Sequence, residues 1–139
     1  MNDLRNAVLA AAEVRSMPGG VVWRILMPDA VGEIAAQQEV DRRSVELAAL
    51  DAEIVPVHYI RNIARFAIRG QMTLLKSGVA LVAAGPAARK CLEALSVSGV
   101  GELRIFAPAG LPEDGGEQQH ADELAALARN LNASVTVSP

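Results

Sequence analysis

The stretch VALVAAGPAARK, Val79 to Lys90, decides how this chain is read. Val79, Ala80, Leu81 and Val82 form a short apolar run with the character of a buried parallel strand. The chain then turns at Gly85-Pro86 and enters a helical pattern. A strand, a glycine-containing turn and a helix open the dinucleotide-binding unit, whose turn carries Gly-x-Gly-x-x-Gly to cradle phosphate. Here the three glycine positions hold Ala83, Gly85 and Ala88.

Downstream the alternation continues. PAARKCLEALSVS predicts a helix, ELRIFAP a second strand, and the polar stretch Pro112 to Gln118 a loop. HADELAALARNLN predicts a helix with Leu124, Leu127, Ala128 and Leu131 inward, and SVTVS a third strand. Strand–helix–strand–helix–strand implies a parallel sheet with right-handed connections. Upstream the pattern is mainly helical. One helix is expected from Asn2 or Asp3 to about Arg15, with Leu4, Val8, Ala11 and Ala12 on one face, stopped by Met17-Pro18-Gly19-Gly20. VVWRILMP, Val21 to Pro28, reads as a short extended piece. Asp29 opens a helix to about Gln38, Asp41 caps another through Leu50, and two more are expected over Val57 to Ile68 and Gln71 to Lys76. The expected fold is therefore α/β: a truncated Rossmann-like parallel sheet of about three strands with flanking helices, preceded by a helical N-terminal region. Residues 1–56 would form the helical extension and 57–139 the half-domain.

Composition agrees. With 139 residues, 51% hydrophobic and only 3% aromatic, the chain can bury a core made of Ala, Val, Leu and Ile, which favours helices on a small sheet. A net charge of −3 is a poor basis for wrapping nucleic acid or an anionic membrane. Arg24, Arg43, Arg61, Arg69 and Lys76 interrupt the chain before any run of about 18 apolar residues. The first residues carry both signs of charge without a signal-peptide pattern, so the expected location is the cytoplasm. Cys91 is the one cysteine, which excludes an internal disulfide and a CxxC zinc site.

The order of elements gives the residues a more specific meaning. HYIRNIARFAIRGQMTLLKSGVALVAAG followed by SVSGVGELRIF resembles the ThiF/MoeB/HesA family, which adenylates sulfur-carrier proteins and is related to ubiquitin-activating enzymes. Tyr59, Arg61, Asn62, Gly70, Gln71, Leu74, Leu75, Val79, Val82, Gly85, Gly99, Val100 and Gly101 carry the resemblance at matching spacing. Leu131-Asn132 matches the family's Leu-Asn-Pro, with Ala133 in place of Pro. ELAALDAEIVP, just before the matching region, resembles the helical extension of some bacterial members. The resemblance covers about Val57 to Pro139, over half of the chain.

Adenylation of a carboxylate needs a phosphate cradle, a ribose anchor, a metal ligand and cations for the transferring phosphates. Ala83 and Ala88 place a Cβ where the cradle wants none, and Pro86 removes one N–H from the anion site. The resemblance implies a ribose-binding Asp-x-Asp after the second strand, where this chain has Ala107 and Ala109 around Pro108. Losing such a charge-assisted bond costs roughly 1.5–3 kcal/mol. The family's next Asn and Arg fall on Gly115 and Gln118, and its metal-binding Asp and carrier-tail groove would lie beyond the third strand. No catalytic residue and no metal ligand is therefore assigned. The residual phosphate contacts are Gly85, Arg61, which in the family reaches a partner subunit's triphosphate, and Arg89 and Lys90 in the first turn after Gly85. Cys91 reads as a small buried or half-buried residue, and His58 and His120 have no carboxylate or Cys cluster nearby in the sequence.

The function expected of such a chain is that of a dimerising or partner-binding pseudoenzyme without a cofactor. Its partners would be itself, a full-length adenylating homologue or a ubiquitin-like sulfur carrier. The alternative is an ATP- and magnesium-binding adenylyltransferase half completed by a second chain. A second alternative is a helix-turn-helix DNA-binding module. EIAAQQEVDRRSVELAAL has Ala35, Val40 and Val45 at the expected offsets, although Glu39 stands at the turn position that usually holds Gly.

Overall fold

Strand β4 (Gly78–Val82) and helix α5 (Pro86–Ser98) form where the run from Val79 to Lys90 predicts them. The computed structural model describes residues 2–82, 86–106 and 116–138. Gly85, assigned to phosphate, and Ala83, Ala107, Pro108, Ala109 and Gly115, named above where the resemblance implies other groups of a nucleotide site, lie outside these residues. The chain divides into two units, Met1–Thr73 and Leu74–Pro139.

In the second unit, β5 (Glu102–Phe106), α6 (Gly116–Leu131) and β6 (Thr136–Ser138) complete the alternation. The three strands run parallel in the order β4-β5-β6, with Leu81 beside Ile105 and Leu103 beside Val137. This is the α/β, Rossmann-like arrangement expected from the sequence. α6 begins at Gly116, so Gly116 to Gln118 are helical and not part of a loop. Helix α5 is followed by Gly99, whose φ of 89° a side chain would strain. Val100 N–H bonds to Leu95 O at 3.2 Å and Gly99 N–H to Ser96 O at 3.3 Å, the paired closure of a glycine-ended helix. Gly99 thus turns the chain, and Val100 drops into the core.

α5 and α6 cover one face of this sheet. Ala88 and Leu92 of α5, Leu124 and Ala128 of α6, and the strand residues Leu103, Ile105 and Val137 share one cluster. Leu131, expected inward, is the last residue of α6 and is instead 42% exposed. Asn132 takes the buried position after it. Its Nδ2 donates to Ser96 O at 3.0 Å and its Oδ1 accepts from Ser134 N–H at 3.0 Å, tying the turn before β6 to α5.

The first unit holds α1 (Asn2–Ala11), β1 (Glu13–Ser16), β2 (Val22–Leu26), α2 (Pro28–Gln38), α3 (Arg42–Asp51) and β3 (Val55–Pro56). A short 3-10 turn (Val57–Tyr59) then leads into α4 (Ile60–Lys76). Its core joins Val8 of α1, Leu26 of β2, Val31 and Ile34 of α2, and Val45 and Ala49 of α3. The helices dominate, as predicted, but a small sheet in the order β1-β2-β3 runs through them. The first helix stops at Ala11 instead of near Arg15, and Glu13–Ser16 pair antiparallel with Val22–Ile25. Met17-Pro18-Gly19-Gly20 ends no helix; it is the turn of this hairpin, with φ of 93° and 82° at Gly19 and Gly20.

Asp41 caps α3 as expected, accepting from Ser44 N–H at 2.7 Å. The two helices expected over Val57 to Ile68 and Gln71 to Lys76 form as two pieces of α4 joined across a kink at Ala67 (φ 57°, ψ 176°), just before the expected break. Among the described residues no helix is long and apolar enough to cross a membrane.

Candidate functional site

In an open parallel α/β sheet, ligands bind beyond the carboxyl ends of the strands. Here those ends are Val82 and Phe106, 63% and 44% exposed, with the first turn of α5 beside β4. Of the residues assigned to phosphate, Gly85 lies outside the described residues. Arg89 and Lys90 are exposed on α5. The Arg89 Nε bonds to Glu93 Oε1 at 3.2 Å, an exposed pair four positions apart and worth only a few tenths of a kcal/mol, roughly, at such sites. Arg61 is exposed in the first turn of α4 and belongs to the other unit.

The family's ATP cradle needs backbone N–H groups at the turn and open space next to the helix start. Pro86, the first residue of α5, has no N–H. Ala88 is 1% exposed, with its methyl packed into the core cluster of this unit. The residues present at this end of α5 do not fit that cradle. Cys91, expected to be buried or half-buried, is exposed on the same helix, because the inward positions are taken by Ala88, Leu92 and Ser96.

The other face of the sheet has an unexpected character. Ala80 and Val82 of β4, Arg104 and Phe106 of β5, and Thr136 of β6 are all exposed. Near the amino ends of the strands, Gly78, Val79, Ala80, Glu102 and Arg104 line a depression of about 270 Å³. Across it Arg104 Nε bonds to Glu102 Oε1 at 3.1 Å. This is the end of the sheet away from the usual ligand position.

In the first unit the fold assembles a cluster that sequence reasoning missed. Glu46 of α3 is fully buried. Its Oε2 accepts from the Tyr59 hydroxyl at 3.0 Å, and its Oε1 lies 3.1 Å from His58 Nε2. The His58 and Tyr59 rings meet edge to face at 4.1 Å. His58, read as lacking a carboxylate, therefore has one, supplied from 12 positions earlier in the chain by the way α3 packs on the 3-10 turn. One signal was present in the sequence: at helical spacing Glu46 shares a face with Ala49 and Leu50, both buried. With no accessible surface, the carboxylate cannot meet a substrate; it fastens the turn ahead of α4 to α3. Among the described residues no group of three or more His, Cys, Asp or Glu side chains is placed to hold a metal ion.

The α2–α3 pair has a helix-turn-helix outline, with Glu39 in the left-handed region at φ 54°. However, every residue of α3 from Arg42 to Leu50 is buried or half-buried, and Arg42 Nη2 bonds to Pro28 O at 3.1 Å. Val45, Glu46, Ala49 and Leu50 are the buried positions of α3, while Arg42, Arg43, Ser44, Leu47 and Ala48 keep part of their surface open.

Comparison of the chain with protein-family models, with curated proteins and with solved structures returned no match.

Proposed function

We propose that this chain is a ThiF/MoeB/HesA-like nucleotide-fold domain that no longer adenylates a substrate by itself and acts through protein contacts, as a dimerising or partner-binding module. The observation that carries this reading is the one-sided sheet. Parallel sheets are buried on both faces almost without exception, because crossover helices sit on each side. In this unit α5 and α6 share one face, while Val82 and Phe106 stand exposed on the other. Exposed apolar surface on a parallel sheet favours a protein cover. The state of the α5 start supports the second half of the reading, since Pro86 and Ala88 replace the groups that would meet a pyrophosphate. The chemical class of partner is the chain itself, an adenylating homologue or a ubiquitin-like sulfur carrier.

The test is calorimetric titration with ATP and magnesium, run beside light scattering on the same sample. Absence of heat at millimolar ATP, together with a mass above the monomer or a complex with a carrier protein, is the expected result. Binding at micromolar ATP overturns the reading and restores the half-enzyme alternative. Arg61, Arg89 and Lys90 are then the residues to replace first.

A further inference from the structure

Strand β1 is the outer strand of the first unit's sheet, and all four of its residues are exposed. Its register with β2 puts Val14 beside Arg24 and Ser16 beside Val22, so Val14 and Val22 share a face. Both are open to solvent, at 68% and 61%. Glu13 and Arg15 lie on the opposite face, beside Ile25 and Trp23. The edge is held in shape by its turn, where Met17 N–H bonds to Val21 O at 2.7 Å and Gly20 N–H to Met17 O at 3.1 Å.

Natural edges are usually guarded by charge that repels another edge. This one carries one acid and one base, two positions apart, so its charge pattern is complementary to itself. Turned about a two-fold axis through Val14, a second copy brings its Arg15 opposite Glu13, its Glu13 opposite Arg15, and its Val14 opposite Val14. The charges and the valines then sort onto separate faces, as cross-strand pairing requires.

We infer that two copies of this chain associate through the free edges of β1, antiparallel and centred on Val14, joining their small sheets into one. The inference rests on the self-associating branch of the proposed function and supplies its interface. Charge complementarity selects a second copy over an unrelated strand, because only a copy is certain to present the matching order. Two short strands make a smaller contact than a permanent dimer needs, so the association is weak and reversible.

The experiment is sedimentation velocity of the full chain over a concentration series, with circular dichroism as the check on folding. The proteins are the wild type, Glu13→Arg, Arg15→Glu, the double variant, and an equimolar mixture of the two single variants. Each single variant places two pairs of like charges across the interface and is expected to weaken the dimer by about tenfold or more. The double variant and the mixture restore opposite charges in both pairs and are expected to recover wild-type association. A wild-type dimer that both single variants leave intact overturns this interface and leaves self-association by another surface standing. A monomeric wild type overturns both the interface and the self-associating branch. Folded single variants that stay monomeric when mixed overturn the pairing. Nucleotide binding in the calorimeter bears on the pseudoenzyme reading alone.

Discussion

Asp41 shows how one side chain sets a helix boundary. Its carboxylate accepts from the Ser44 backbone at 2.7 Å, and hydrogen bonding from the Ser44 side chain is the main reason its pKa lies below the usual carboxylate range, with the nearby Arg43 charge adding to it. Asp41→Ala should lower stability by about 1 kcal/mol, read as a shift in the urea midpoint. Because the folded-state pKa is depressed, the contribution is complete above the ordinary carboxylate range near pH ~4 and disappears as pH falls through the lowered value. The wild-type advantage over Asp41→Ala should therefore shrink on acidification below that range, while remaining constant at neutral pH. Glu46 is the costlier residue to lose. Glu46→Ala removes the bonds to Tyr59 and His58 and leaves a cavity, for an expected loss of about 3 kcal/mol, whereas Tyr59→Phe removes its hydroxyl bond to Glu46 and should cost about 1–2 kcal/mol. Equal effects of the two changes in chemical denaturation would remove Glu46 from its central place in the cluster.

Within elements, the places where backbone geometry departs from the regular form are the informative ones. Ala67 sits inside α4 at φ 57° and ψ 176°, a region that glycine alone enters without strain. The break lets the chain leave Phe66 close over Gly70, where an added Cβ would come 2.9 Å from the Phe66 Cβ. Ala67→Gly is expected to raise stability by about 1 kcal/mol despite glycine's larger entropy on unfolding. Gly70→Ala, normally favourable in a helix, should instead be neutral or destabilising. A thermal melt in which Gly70→Ala stabilises and Ala67→Gly destabilises would mean that α4 is a regular helix.

On the scale of the whole molecule, two hydrophobic clusters share no residue and fall in different units. Separate cores favour separate unfolding. Trp23, the one tryptophan, belongs to the first unit, so its fluorescence reports that unit. Leu103 is fully buried in the second. Leu103→Ala should destabilise its unit by about 3 kcal/mol, moving the circular-dichroism transition in urea while leaving the Trp23 fluorescence midpoint in place. Coincident shifts of both signals would show a single cooperative molecule. Function is expected at this scale too, on the open sheet face and the β1 edge, since neither is a property of one residue.

The sequence by itself determined most elements and that the last three strands run parallel. The apolar run at Val79 to Val82, the helical spacing of Leu124 and Ala128, and the cap at Asp41 are local signals, read within a turn or two of the chain. Gly99 entered the sequence reading only through the family resemblance; that it closes α5 came from the structure. Of the candidate site, the missing N–H at Pro86 and the methyl of Ala88 could also be read, because they depend on which atoms a residue has. Only the tertiary structure decided what depends on distant pairing. Glu13–Ser16 became a strand because Val22–Ile25 lay across a glycine turn to pair with it, overriding a helical pattern. Glu46 met Tyr59 across 13 positions of sequence. The placement of α5 and α6 on one face of the sheet, with Val82 and Phe106 left open on the other, likewise depends on which surfaces found partners. Periodicity shows that a face exists; packing decides whether anything covers it.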